Sequence, residues 1–523
     1  MDDLFGAIDF LAGAGEDLIR DFVRSHRGTA HADIRFEVVF SRAASAENGA
    51  ARESVESQGA AFGVSVRFAG SGGAVADGHS GATVGRLARR PAKLASALRA
   101  ALDEAYLRAR ASARAKAALL KRLSTAAAGL IGAAPAPIGL ERDTVAATYR
   151  RDPRTLDPDE LTRLCCDASQ AAAGLGPEIA FNFVAALSEL RHELFISSEG
   201  ALISQEFAFS QGDCYVVAQS GDGHQESYDT IGQQRGLECL SEEWPGGLMP
   251  NPDLITFARK LAGESRELAA APILKPPAEE VTVITDPHFN ALLAHEIVGH
   301  PCEADRALKM EAAYAGRSWL LRSIRDNEIG RMVGSELLSA CSDPALDGYG
   351  HYRYDHQGTP GRRVMHIERG VFRGFMNSRA TATALGAEPN GSARASEARH
   401  VPLIRMSNTF FMPGESDPDR IIGEVEHGYY VCGHRIPSIA ESRENFRISA
   451  RRVHEIENGR LGRLYRAGSV MADSKRFFMK VDAVGNDLRL IAIPNCGKGQ
   501  PMQVKRMSNG GPTMRSRAYL AGG

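Results

Sequence analysis

His295-Glu296-Ile297-Val298-Gly299-His300 sets two imidazoles and a carboxylate side by side in one short stretch. Neutral imidazoles are good ligands for a divalent metal, and a glutamate next to the first is placed to take a proton from a metal-bound water. In the usual helical arrangement such histidines stand at i and i+4, about 40° apart at ~3.6 residues per turn. Here they stand at i and i+5, and on a straight helix their rings diverge by about 140°. They converge only if the helix widens into a π-type turn or ends between them. Gly299 is conformationally permissive, and Pro301 disfavours the α region at His300, so either distortion is available. The expectation is a strand over residues 281–284, then a helix over 288–300 that is irregular at its end.

Outward from this stretch, Ile493-Pro494-Asn495-Cys496-Gly497-Lys498-Gly499-Gln500-Pro501 places a cysteine in a glycine-flanked loop after the apolar run from Leu488 to Ile493. A thiolate is a strong zinc ligand, and two His plus one Cys leave the fourth tetrahedral position open, as catalysis requires. Position alone does not single Cys496 out from the other seven cysteines.

Together these residues resemble the TldD branch of the TldD/PmbA metalloprotease family, whose signature is His-Glu-x-x-x-His with a distant Cys as third zinc ligand. The likeness continues through Asp343-Pro344 to Gly358-Thr359, Ile367-Glu368-Arg369-Gly370-Val371 and Gly374-Phe375-Met376. Arg405-Met406-Ser407-Asn408-Thr409, Val484-Gly485-Asn486-Asp487-Leu488 and Cys496-Gly497-Lys498 extend it, so that it spans roughly residues 280 to 515 and is weaker over 1 to 270. The PmbA-like sister branch lacks the metal motif, and this chain has it. Two stretches depart from the family: Asp355-His356-Gln357-Gly358 stands where Asp-Asp-Glu-Gly is common, and His434-Arg435-Ile436-Pro437 follows Cys432-Gly433 in place of a Thr/Gly-rich run.

The resemblance implies a zinc-dependent metallopeptidase with one Zn2+ per chain held by His295, His300 and Cys496, and Glu296 as general base. It also implies an active site enclosed by a dimer, either a heterodimer with a metal-free PmbA/TldE-like subunit or a homodimer. The substrates would be small or unfolded peptides, held by backbone pairing to a strand edge. Arg405 and Asn408 are candidates either to contact substrate backbone or to brace a strand end. Cys302 lies close enough to His300 to compete as a ligand, and Glu303 and Asp305 are candidates to orient an imidazole or simply to pair at the surface. His351, His356 and His434 are read as structural, with proton donation as the other option. A metal-binding regulatory or scaffold subunit without proteolytic activity is the alternative of another class.

The 523 residues exceed one ordinary core and call for two or three domains. A 43% hydrophobic and 24% charged composition is that of a soluble globular chain. The net charge of −2, from 62 basic and 64 acidic residues, argues against a nucleic-acid or anionic-membrane surface. No apolar run is long enough to span a membrane, the acidic start lacks the pattern of a signal peptide, and the eight cysteines show no disulfide rhythm. A cytoplasmic location is expected.

The predicted fold class is α+β, with an N-terminal α/β half and a C-terminal, mainly antiparallel β half carrying the motif helix. Phe5, Ile8, Leu11, Leu18, Ile19 and Phe22 mark an opening helix, and residues 34–40 and 61–68 alternate as strands around a polar stretch, 41–58. Pro91 opens a long helix whose charges read as a solvated face. Residues 126–137 are a candidate linker that would divide the first half. A helix near 157–173, strands between 180 and 219 and a helix at 254–268 follow. Ala271-Pro272-Ile273-Leu274-Lys275-Pro276-Pro277 breaks the pattern, which sets the domains at 1–272 and 273–523.

Overall fold

The structure is a computed structural model describing residues 4–70, 74–123, 134–311, 316–323 and 326–522. Residues 126–133 of the expected linker lie outside the described residues. The first half contains helices α1 (Gly6–Ser25), α2 (Pro91–Leu120), α3 (Pro158–Ala173) and α4 (Leu254–Ala270). Its strands are β1 (Thr29–Glu47), β2 (Ala50–Ala69), β3 (Val75–Thr83), β4 (Arg142–Val145), β5 (Ile179–Ser197), β6 (Leu202–Ser220) and β7 (Gly223–Gln233). They form one sheet in the order β3-β2-β1-β5-β6-β4, with β7 also on β6.

Period-two alternation explains how the sheet is covered. Ala32, Ile34, Phe36, Val38 and Phe40 of β1 point into a core closed by α1 and α2. Ala44 and Ala46, further along the same face, point into a second core closed by α3 and α4. The polar stretch 41–58 is not an interruption. It continues β1 into β2, Ser41 opposite Ser57 and Ala43 opposite Val55, with one register shift between Ser45 and Ala46. The turn is Asn48-Gly49, both at positive φ (48° and 82°), which suits a tight two-residue hairpin. Polar composition hid the strand because most of residues 50–57 are exposed.

The other face of this sheet is charged, yet it is not solvated. Arg35 donates to the carbonyl of His400 at 2.8 Å, and Arg191 to that of Ser396 at 2.7 Å. Glu193 meets His356 at 2.9 Å, and Glu189 accepts from Arg506 at 3.1 Å. All these partners belong to the second half, so the two halves meet through a layer of buried, paired charges.

In the second half β8 (Val281–Thr285) lies between the strands His427–Ile439 and Met514–Gly522. Gly468–Asp473 and Asn445–Glu457 continue the sheet, and Asn445–Glu457 pairs back with His427–Ile439, closing a barrel-like ring. A second sheet of six strands ends in Gln503–Gly511 and, at its edge, Arg489–Lys498. Most pairings are antiparallel; His427–Ile439 with β8 and Thr409–Phe411 with Gln503–Gly511 are parallel. The α+β expectation holds. Among the described residues no helix is long and apolar enough to cross a membrane.

Candidate metal centre

Asp286 caps the motif helix by accepting from the backbone N–H of Phe289 at 2.7 Å, and Pro287 follows at the first helical position. Regular α-helix, α5 (Pro287–Leu293), gives way to a π-helical turn over Ala294–Gly299 and then a 3-10 turn over His300–Cys302. The wide turn adds the fraction of a residue that a five-residue spacing needs, and both rings face one point, with centroids 4.7 Å apart. Gly299 serves a second purpose. A Cβ there would come within 1.9 Å of the Met406 sulfur, so only glycine lets the turn lie against that side chain.

Cys496 arrives from the edge strand Arg489–Lys498, just after a register shift between Ile493 and Cys496. One ligand atom each from His295, His300 and Cys496 lie within 4.8 Å of one another, all three residues buried. The Cys496 sulfur is 3.7 Å from Nε2 of His300. Zinc–sulfur and zinc–nitrogen bonds of ordinary length at a tetrahedral angle place such atoms about 3.5 Å apart, so the group fits a zinc ion.

The outer nitrogens are fixed by partners. Nδ1 of His295 lies 2.9 Å from the side-chain oxygen of Asn509, whose NH2 donates to the carbonyl of Thr409 at 3.1 Å. Nδ1 of His300 lies 3.1 Å from Glu303, which also accepts from Arg306 at 2.6 Å and Lys498 at 3.2 Å. Since these oxygens only accept, each Nδ1 carries the proton and each Nε2 is left for a ligand. Lys498 is fully buried and also donates to Asp305 at 2.7 Å and the carbonyl of Ile404 at 2.9 Å. It thereby ties the cysteine strand to the histidine turn.

Burial works against the charge of every group here, and the neighbours outweigh it. The Cys496 thiol would be pushed up by burial, but His295, Arg405 and His300 hold it well below the ordinary thiol range. Burial lowers His295, yet the Cys496 thiolate raises it to about 9. Glu296 would rise on burial, and His300, Arg443 and His295 bring it below the usual carboxylate range. Cys302 behaves oppositely: burial and the adjacent Glu303 lift it well above the ordinary thiol range, and it sits in the apolar core outside the ligand group.

A cavity of about 650 Å³ opens over the group, lined by His295, Glu296, His300 and Cys496. Arg405 and Asn408 do not line it. Arg405 is buried beneath it, donating to the carbonyls of Cys496 and Gln503. Asn408 donates to the carbonyls of Asp343 at 3.1 Å and Leu346 at 2.7 Å and accepts from the N–H of Gly350 at 3.0 Å. Glu303 and Asp305 are buried; Glu303 holds His300, and Asp305 accepts from Lys498 and from the N–H of Ile404. His351 does not line the cavity and donates from Nδ1 to the carbonyl of Pro344 at 2.8 Å, while burial pushes His356 down to about 4 beside Glu193. His434 is on the cavity wall and is pushed down to about 3, again by burial. Sequence reasoning missed the roles of Asn509, Lys498 and Arg443, the last reaching the cavity from a polar hairpin tip that reads as solvated.

Comparison with known proteins places the chain among relatives of one family. Residues 278–522 match the family model described as PmbA/TldA metallopeptidase C-terminal domain. A metalloprotease of Methanothermobacter thermautotrophicus is 31% identical over 71% of this chain and 76% of its own length. A zinc metalloprotease TldD homolog of Saccharolobus solfataricus is 28% identical over 67% and 73%. Two solved structures share the fold. A putative modulator of a DNA gyrase from Thermotoga maritima has a TM-score of 0.71 at 15% identity, covering 97% of this chain and 99% of its own. TldE from Thermococcus kodakarensis has a TM-score of 0.67 at 17% identity, covering 97% and 100%.

Proposed function

We propose, since this chain belongs to the TldD/PmbA metallopeptidase family, that it hydrolyses peptide bonds with one zinc ion held by His295, His300 and Cys496. The observation that carries the proposal is the convergence of three ligand atoms on the wall of a cavity that Glu296 also lines. Zinc would supply Lewis acidity toward the scissile carbonyl and acidity to an attacking water. The chain's own residues do the rest. Asn509 and Glu303 hold the imidazoles in the tautomer that ligates, and Lys498 and Arg405 fix the strand that carries the thiolate. Glu296, its carboxylate paired with Arg443, takes a proton from water and returns it to the departing amine nitrogen. Arg405 braces the cysteine strand from beneath, and Asn408 braces the loop from Asp343 to Gly350. Two imidazoles and one thiolate with an ionised carboxylate beside them favour catalysis over a structural metal, which would carry four protein ligands.

Substrates would be small or unfolded peptides, with a metal-free TldE-like subunit as partner in an enclosing dimer; a homodimer is the other outcome of a native mass measurement. The test of activity is cleavage of an unstructured casein-derived peptide, followed by mass spectrometry. Wild type should cut it, a zinc chelator should stop the reaction, and added zinc should restore it. Glu296→Gln should retain zinc and lose about 10²- to 10⁴-fold in rate. Undiminished cleavage by Glu296→Gln, or cleavage indifferent to the chelator, would exclude this mechanism.

A further inference from the structure

Arg443 occupies the tip of the hairpin between the strands His427–Ile439 and Asn445–Glu457. Arginines at such tips ordinarily extend into water. This side chain is 12% exposed and turns inward, placing Nη1 3.1 Å from Oε2 of Glu296. It does so from a φ of 65°, a left-handed conformation that a long side chain rarely adopts. The surroundings impose it: Ser474 donates its hydroxyl to the Arg443 carbonyl at 2.6 Å and its N–H to that of Glu444 at 2.8 Å. From another element, the N–H of Trp319 donates to the carbonyl of Ser442 at 2.8 Å. Strain held in place by neighbours at the wall of a site points to a use for the residue there.

The contact with Glu296 is an ion pair without the alignment of a hydrogen bond. Oε2 of Glu296 and Nε of Arg443 are both buried with no hydrogen-bond partner. A guanidinium has five N–H donors, and buried polar atoms left unbonded side by side mark a place that a ligand completes. Arg306, a second guanidinium on the cavity wall, is committed to Glu303, and Arg435 is exposed.

We propose that Arg443 is a further catalytic residue, an N–H donor to the carbonyl oxygen of the peptide bond under attack; this rests on the peptidase reading above. As the water oxygen bonds to the carbonyl carbon, Glu296 takes one water proton and the carbonyl π pair moves onto oxygen. Arg443 donates to that oxyanion. The pair then re-forms the C=O bond, the C–N bond breaks, and the nitrogen leaves with the proton from Glu296. Water and peptide are consumed and an acid and an amine are released, with no other reactant. A preorganised cation in a water-poor site suits developing charge of this kind.

The experiment compares zinc-loaded wild type, Arg443→Met and Arg443→Lys on an unstructured casein-derived peptide and, separately, on a phosphinic pseudopeptide whose tetrahedral phosphorus bears charged oxygens. Arg443→Met should lose about 10²- to 10³-fold in kcat with KM within about threefold, and should bind the phosphinic compound at least about tenfold more weakly. Zinc content and Tm should stay at wild-type values, and Arg443→Lys should recover part of both losses. A kcat within about threefold of wild type, an unchanged phosphinate affinity, or a loss that tracks KM or zinc content alone would overturn the proposal. A wild type that cuts no peptide would instead bring down the peptidase reading; wild-type cleavage with an indifferent Arg443→Met brings down this inference alone.

Discussion

Lys498 stands two residues after Cys496, and its three donors go to Glu303, Asp305 and the carbonyl of Ile404. Removing it would leave two buried carboxylates without their cation and the His300 partner Glu303 less firmly held. Lys498→Met is therefore expected to weaken zinc binding by about 10- to 100-fold, read by chelator competition, while a surface control such as Lys121→Met changes nothing. The same titration carries a pH prediction. His295 must be neutral to ligate, and the Cys496 thiolate raises it to about 9, so zinc uptake displaces a proton. Affinity should climb as pH rises toward about 9 and fall below it; a flat profile from pH 7 to 9 would count against the paired thiolate and imidazole. At this scale the candidate ligands and Glu296 were readable as a group because they lie in one short motif and one family signature. The role of Lys498 was not, because a lysine in a Cys-Gly-Lys run looks solvated until the fold buries it. Arg405 and Asn408 were singled out by a local pattern, which cannot show whether a side chain faces the cavity or the layer beneath it.

The π-helical turn is the element on which convergence of the histidines depends, and the five-residue spacing announced it: no straight helix brings both rings to one point. What the spacing could not show is that Met406 lies against the outside of the turn. Gly299→Ala should cost on the order of 1–3 kcal/mol through overpacking and should lower zinc content, since Met406 is fully buried. Met406→Ala in the Gly299→Ala background should restore zinc binding; no rescue would mean that the conformation of glycine, rather than the space beside it, is what the turn requires. The hairpin of β1 and β2 shows the opposite limit. Its outer part, 41–58, has little apolar pattern because most of β2 there is exposed, and only the Asn48-Gly49 turn carried a local signal.

For the whole molecule, the least readable feature is the layer of charge between the halves. Alternation along β1 and β5 ordinarily means one face in the core and one in water. Here the second face packs against residues far along the chain, with Arg35 and Glu37 buried and Arg191 and Glu193 partly so. Burial also keeps several histidines neutral. His356 and His366 are each pushed down to about 4, the latter with its Nδ1–H donating to the Gly374 carbonyl and its Nε2 against the Ser342 hydroxyl. A depressed pKa contributes stability that is present above the unfolded value near 6.5 and is lost as pH falls toward 4. Glu37, raised to about 7 chiefly by burial, acts in the other direction over its own range. The net expectation is stability that declines from pH 7 to pH 5, with His366 contributing about 2 kcal/mol of the decline. Urea denaturation of wild type and His366→Gln at both values checks this: the variant should show the smaller pH difference, and equal differences would remove His366 from the explanation.

The first measurement to make is zinc per chain, by mass spectrometry, in purified wild type and Cys496→Ser. About one zinc per chain in the wild type, largely absent from the variant, is the expected result, because the proposed ligand set is His295, His300 and the Cys496 thiolate. A carefully prepared wild type without metal, or a Cys496→Ser protein holding its full zinc complement, would contradict the site and the mechanism built on it.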